Sequence, residues 1–226
     1  RGRQTANEHW GNAPSVLVGD FLYSRAFQVL VGIANLPIMG VMADATNVIS
    51  EGEVQQMANA GNSNLTEDIY RQVIYRKTAK LFEASAQAGA CLANGDENSM
   101  VVYGRHLGMA FQIVDDVLDY SGDILVTGKN IGDDLAEGKM TLPLIYARDV
   151  GTNSESQLIK EAVSMKNSTN FDSILKIVNC TGGLDYSLHC ARNEVELAKC
   201  ALDSIPDNSY KQTMLNLADF SLSRIS

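Results

Sequence analysis

Hydrophobic positions along this chain recur three and four apart more often than they alternate. The spacing predicts helices over roughly 14–33, 37–60, 66–93, 97–120, 139–149, 155–166, 171–180, 183–204 and 208–225. Turn-forming clusters separate most of them: Asn35-Leu36-Pro37, Gly61-Asn62-Ser63-Asn64, Asn94-Gly95-Asp96, Gly151-Thr152-Asn153 and Pro206-Asp207-Asn208. Thr66 followed by Glu67 and Asp68 reads as an N-cap with acids in the first turn. Runs of Val, Ile and Thr with strict alternation are few. The expected fold is all-α, a single domain. Segment 122–138 differs: Gly122, Gly128, Gly132 and Gly138 punctuate it, with Lys129, Asp133, Asp134 and Lys139 among them. Taken alone, it reads equally as an ordinary solvated connection or as a functional loop on a rigid scaffold.

Two helices carry polar residues in unusual places. Between Tyr70 and Ala88, an apolar face runs through Tyr70, Val73, Ile74, Leu81, Ala84 and Ala88. Lys77 falls in its middle. A lysine there must snorkel, pair, or face a polar cavity, and Thr78 beside it can offer a hydroxyl to the same space. From Tyr103 to Tyr120 apolar residues cover most of the helix wheel, while Arg105, Gln112, Asp115, Asp116 and Asp119 share a narrow arc. His106 falls on the apolar side, which predicts a core position. Carboxylates on a nearly buried helix need compensation, because unpaired buried charge is very costly. Asp115 and Asp119 are one turn apart and can converge, with Asp116 flanking them. Hard oxygen donors at that spacing suit Mg²⁺, which keeps waters and bridges to substrate phosphates.

Composition narrows the function classes. The 226 residues are 45% hydrophobic, enough for a sizeable core, and carry a net charge of −9. That charge excludes broad nucleic-acid binding, which needs a basic footprint. The four cysteines, Cys91, Cys180, Cys190 and Cys200, lack zinc-ligand spacing, and reduced thiols in a cytoplasmic protein are the simpler reading. No uninterrupted apolar run reaches the roughly 18 residues of a membrane span. Together these features describe a helical cavity with apolar walls, a carboxylate cluster for Mg²⁺, and lysines at 77, 129 and 139 for anionic oxygen. A diphosphate with an apolar tail fits that combination, since metal and lysines would stabilise charge on a departing diphosphate.

The run Gly104-Arg105-His106-Leu107-Gly108-Met109-Ala110-Phe111-Gln112-Ile113-Val114-Asp115-Asp116-Val117-Leu118-Asp119-Tyr120 resembles the second aspartate-rich motif of the trans-isoprenyl diphosphate synthase family. The loop from Gly128 to Lys139, followed by Thr141-Leu142-Pro143, is similar to that family's usual continuation. So are Val18-Gly19-Asp20-Phe21-Leu22-Tyr23, the helix with Glu51-Gly52-Glu53, and Tyr75-Arg76-Lys77-Thr78-Ala79. The likeness extends over nearly the whole chain and is nearest to long-chain, octaprenyl-type members that supply quinone side chains.

The resemblance implies antiparallel helices around a deep central cavity, a homodimer, and Mg²⁺-dependent condensation of isopentenyl diphosphate with an allylic diphosphate such as farnesyl diphosphate. It implies metal binding by Asp115 and Asp116, with Asp119 in support and Asp133 orienting the loop and its metal waters. Lys77, Lys129 and Lys139 would contact the allylic diphosphate. Thr78 and Gln112 would lie near the reacting carbons, and Arg1 would contact isopentenyl diphosphate. The family's first aspartate-rich motif lies immediately before the position of Arg1, so 1–226 is expected to be a polyprenyl synthetase domain lacking its N-terminal helices, an excerpt of a longer enzyme with an exposed apolar patch. Two other readings compete: a terpene cyclase, whose Asn/Ser/Glu triad spacing Asn47, Ser50 and Glu53 do not match, and a non-catalytic partner subunit of a heteromeric synthase. Glu53 and Gln56 are assigned equally to the cavity or to the helix surface.

Overall fold

Local chemistry sets the helix ends. The computed structural model describes residues 4–121 and 132–224. Thr5 and Glu8 form a reciprocal capping box at the start of α1 (Ala6–Trp10), and α2 follows as Asn12–Ile33. The Asn35 side chain accepts from the Ile38 amide to open α3 (Leu36–Asn59), with Pro37 in the first turn, where its missing N–H costs nothing. Thr66 caps α4 (Glu67–Ile74) by accepting from the Ile69 amide. A π-turn, Tyr75–Ala79, joins α4 to α5 (Lys80–Ala93). The long α6 spans Glu97–Ser121. After it come α7 (Asp133–Ala136), α8 (Leu142–Val150), α9 (Asn153–Met165), α10 (Phe171–Thr181), α11 (Gly183–Ala201) and α12 (Ser209–Ser223). No strand occurs among the described residues.

Helix α6 is the axis of the structure. Ile113 and Val114 are fully buried in a core shared with Leu142, Leu144, Ile159, Ile174, Val178 and Ala191 from α8 to α11. Tyr103, Leu107 and Ala110, about one to three turns earlier, meet Val195, Ala198, Leu202 and Ala218. Burying side chains of this size is worth about 1.5–3 kcal/mol each. The α6 backbone is therefore held on both flanks, and the polar groups on its remaining arc sit on a rigid element.

Two differences from the sequence expectations have physical causes, and the expected exposed apolar patch lies on α2. The helix expected over 66–93 is divided by the π-turn. The inserted geometry changes the phase, so Tyr70, Val73 and Ile74 are buried while Leu81, expected on the same face, is 45% exposed. His106 does not sit in apolar core. Its Nδ1 lies 2.7 Å from Glu194 Oε2, and Arg71 donates to the other Glu194 oxygen at 2.8 Å, tying α4, α6 and α11 together. Helix α2 buries no residue, although Val16, Leu17, Val18, Phe21, Leu22 and Tyr23 are all apolar or aromatic. By length and composition alone it is apolar enough to cross a membrane. Asp20 and Arg25 interrupt it, as the absence of a longer apolar run requires.

Candidate functional site

The site is assembled on the π-turn and on the C-terminal half of α6. A π-turn is rare, occurs mostly as a single turn inside an α-helix, and is frequent at functional sites. Here it carries Lys77 and Thr78. The Lys77 ammonium donates to Gln56 Oε1 on α3 and lies 3.5 Å from Glu53 Oε1. Both α3 residues therefore meet the lysine, which decides between the two sequence readings in favour of the cleft. Thr78 Oγ1 donates to Gln112 Oε1 at 2.8 Å, and Gln112 Nε2 donates to Asp116 Oδ1 at 2.8 Å. Tyr70 Oη donates to the other Asp116 oxygen at 2.6 Å. A continuous chain of hydrogen bonds thus runs from the π-turn to the aspartates.

The three aspartates of the motif occupy distinct environments. Asp116 is buried, and both its oxygens are engaged by protein donors. Burial first, then the nearby Asp134 carboxylate, push its pKa up to about 8. Asp119 is pushed up to about 7 by the same two causes in the same order. Its Oδ2 accepts from the Asp134 amide at 3.2 Å, and its carbonyl accepts from the Gly132 amide at 3.0 Å. Asp119 therefore anchors the chain where it returns to α6. Asp115 is half-buried and lies 3.4 Å from Arg224 Nη2, whose guanidinium sits over the Phe111 ring at 4.2 Å.

Lys139 completes the arrangement. Its ammonium lies 2.9 Å from Asp134 Oδ1 and 2.6 Å from Glu137 Oε2. Burial lowers its pKa, but the Asp134 and Glu137 carboxylates outweigh burial and hold it above the ordinary lysine value. Lys77 and Lys139 line one cleft of ≈ 240 Å³ together with Glu53, Gln56, Met57, Ala60 and Glu137. Asp133, by contrast, is exposed at the first position of α7. Arg1 and Lys129 lie outside the described residues. The structure thus brings together seven of the sequence-derived site residues: Lys77, Thr78, Gln112, Asp115, Asp116, Asp119 and Lys139.

Sequence reasoning missed two members. Tyr70 reads as one more apolar-face residue, because nothing in a periodicity marks a buried hydroxyl. Asp134 is indistinguishable from Asp133 in a polar loop. Only the fold shows that Asp134, not Asp133, carries the pair of contacts to Asp119 and Lys139. Among the described residues no three acidic, His or Cys side chains converge closely enough to hold a metal ion by themselves. The donor set is nevertheless hard carboxylate oxygen, and burial first, then repulsion from Asp134, raises two of its members; a dication relieves the repulsive part.

Comparison with known proteins shows the family and the fold. Residues 1–181 match the family model of polyprenyl synthetase. The octaprenyl diphosphate synthase of Haemophilus influenzae is 48% identical over 99% of this chain and 69% of its own length. That of Escherichia coli is 44% identical over 99% of the chain and 71% of its own. A polyprenyl synthase of Caulobacter crescentus, crystallised with calcium and isoprenyl diphosphate, superimposes with a TM-score of 0.95 at 38% identity, over 100% of this chain and 70% of that one. The fold and these relatives define an all-helical prenyltransferase. More narrowly, the chain belongs to the polyprenyl synthetase family.

Proposed function

We propose that this chain condenses isopentenyl diphosphate with an allylic diphosphate, farnesyl diphosphate being the expected primer, and makes a long-chain all-trans polyprenyl diphosphate of the octaprenyl class for quinone side chains. The observation that carries the reading is the placement of Lys77 and Lys139 in one cleft, with Lys77 adjoining the Thr78–Gln112–Asp116 chain. In this reading Lys77, Lys139 and Lys129 bind the allylic diphosphate oxygens, and Arg1 contacts isopentenyl diphosphate. Thr78 and Gln112 turn their oxygen dipoles toward the carbon that becomes cationic and guide the later loss of a proton. Asp115, Asp116 and Asp119 would hold Mg²⁺, with Asp133 orienting the loop, and the metal would neutralise the diphosphate as its bond to carbon breaks. The 48% identity with an octaprenyl diphosphate synthase supports the product class.

The same reading makes the protein a cytoplasmic homodimer built from one polyprenyl synthetase domain. The exposed apolar residues of α2 support a surface that a second protomer or the expected N-terminal helices would cover. Incubating the chain with Mg²⁺, isopentenyl diphosphate and farnesyl diphosphate, with products sized by mass spectrometry, tests the activity. Products with several added five-carbon units, lost in Asp115→Ala, are expected. Equal elongation by that variant refutes the metal assignment, and a folded chain without product refutes catalysis by this chain.

A further inference from the structure

The π-turn is held by two matching seats on different helices. On α3, a Cβ placed on Gly52 would lie 2.7 Å from the Lys77 backbone nitrogen and 2.8 Å from Arg76 Cβ. On α6, a Cβ on Gly108 would lie 2.5 Å from Ala79 Cα. Neither glycine has the positive φ that would call for glycine on conformational grounds. What each needs is the absence of a side chain, so that the π-turn backbone can close onto its helix. Four residues beyond each glycine, on the same helix face, stands a glutamine: Gln56 after Gly52 and Gln112 after Gly108. Each glutamine takes one side chain of the turn. Gln56 accepts from Lys77, and Gln112 accepts from Thr78.

We propose that the pairs Gly52/Gln56 and Gly108/Gln112 are positioning devices that seat the π-turn and so aim Lys77 at the allylic diphosphate and Thr78 at the reacting carbon. The inference rests on the reading of Lys77 as a diphosphate-binding residue. Its physical basis is that a π-turn is a rare, single-turn insertion in a helix, met frequently at functional sites. Backbone contact on two sides fixes where it sits, and the glutamine bonds fix which way its side chains point. A group displaced by a fraction of an ångström loses much of its effect on a bound substrate.

Steady-state kinetics of four variants decide the matter. Gly52→Ala and Gly108→Ala push on the π-turn from either helix. Gly104→Ala is the packing control. It is on α6 too, and its Cβ would lie 2.5 Å from the Phe82 carbonyl oxygen, but it meets the helix one turn beyond the π-turn. Lys77→Ala reports on the site itself. The expected result is an allylic KM raised about tenfold or more in both π-turn variants, with the isopentenyl diphosphate KM unchanged. Gly104→Ala should lower the melting temperature while keeping the wild-type KM for both substrates. If Lys77→Ala raises the allylic KM but both π-turn variants behave like Gly104→Ala, the seats are ordinary packing and the proposal fails. An unchanged allylic KM in Lys77→Ala removes the site reading, and the proposal with it. If neither π-turn variant folds while Gly104→Ala does, the glycines serve folding and not aim, and the proposal is again refuted.

Discussion

Tyr70 and Asp116, 46 positions apart in sequence, share a 2.6 Å hydrogen bond inside the protein, with the tyrosine hydroxyl donating to Asp116 Oδ2. Burial first, and then the charge on Asp116, raise the Tyr70 pKa, so the phenol keeps its proton and remains a donor. The bond fixes one carboxylate oxygen while Gln112 fixes the other. Asp116 therefore presents a set orientation to Asp115 and Asp119 on the same helix.

Tyr70→Phe removes that donor and leaves the ring in place. An oxygen of Asp116 is then buried without a partner, at a cost of about 1–3 kcal/mol. A urea titration should show a lower midpoint with an unchanged slope. The Mg²⁺ concentration for half-maximal turnover should rise as well, because a carboxylate proposed to hold the metal has lost its fixed aim. An unaltered midpoint would mean that the hydroxyl contributes nothing to the fold.

The acid cluster makes the metal-free protein sensitive to alkali. Asp116 and Asp119 ionise at about 8 and about 7 in the folded chain, against 3.8 ordinarily. Between these values the folded state binds more protons than the unfolded state. The stabilising contribution of the two groups is therefore fully present below about 3.8 and is lost as pH rises through 7 and 8. Subtracting the Asp116→Asn melting profile from the wild-type profile isolates the Asp116 contribution, and the difference should shrink toward high pH. Adding Mg²⁺ at pH 8 should restore wild-type stability more than that of the variant. A flat difference profile would show that Asp116 titrates in its ordinary range.

Most of the scaffold can be read in the sequence because helix periodicity and capping are local. Thr66 caps α4 where its side chain predicts, and Asn35 and Asn208, read in the sequence as turn signals, cap the helices that follow them. The Asp115–Asp119 spacing places those carboxylates on one helix by geometry alone. The π-turn is illegible because it conserves the apolar positions on either side and changes only their phase. His106 shows the same limit: its wheel position is apolar-facing, but Glu194, 88 positions away, reaches it. Charges recruited across the fold leave no local trace.

Gln112 touches both the π-turn and Asp116. Its oxygen accepts from Thr78, and its nitrogen donates to Asp116. Gln112→Glu keeps the shape and the acceptor but replaces the donor with a carboxylate facing a carboxylate. Turnover should fall by at least about tenfold, since both Thr78 and Asp116 lose their set geometry. Raising Mg²⁺ should recover part of the loss by screening the new repulsion. Gln112→Leu removes both bonds without adding charge, and Mg²⁺ should recover none of its loss. Identical Mg²⁺ responses in the two variants would contradict the assigned amide orientation.

Arg148 lies below the site and separates stability from binding. It is buried, and its Nη1 donates to the Ser63 carbonyl at 3.0 Å and the Leu65 carbonyl at 2.8 Å, while Nε pairs with Asp149 at 2.7 Å. Those two carbonyls close the turn before α4. The same turn holds the Lys139 loop, because the Gly61 amide donates to the Gly138 carbonyl at 2.8 Å. Arg148→Met fills the space but orphans both carbonyls, and should cost about 2–4 kcal/mol at one to two kcal/mol for each. The loosened turn should also raise the allylic KM through Lys139. Lys139→Ala should raise that KM further, yet cost little stability, since its partners Asp134 and Glu137 both reach solvent. The two variants should therefore rank in opposite orders by melting temperature and by allylic KM. If they rank alike, the turn and the loop are not mechanically joined through Gly61 and Gly138.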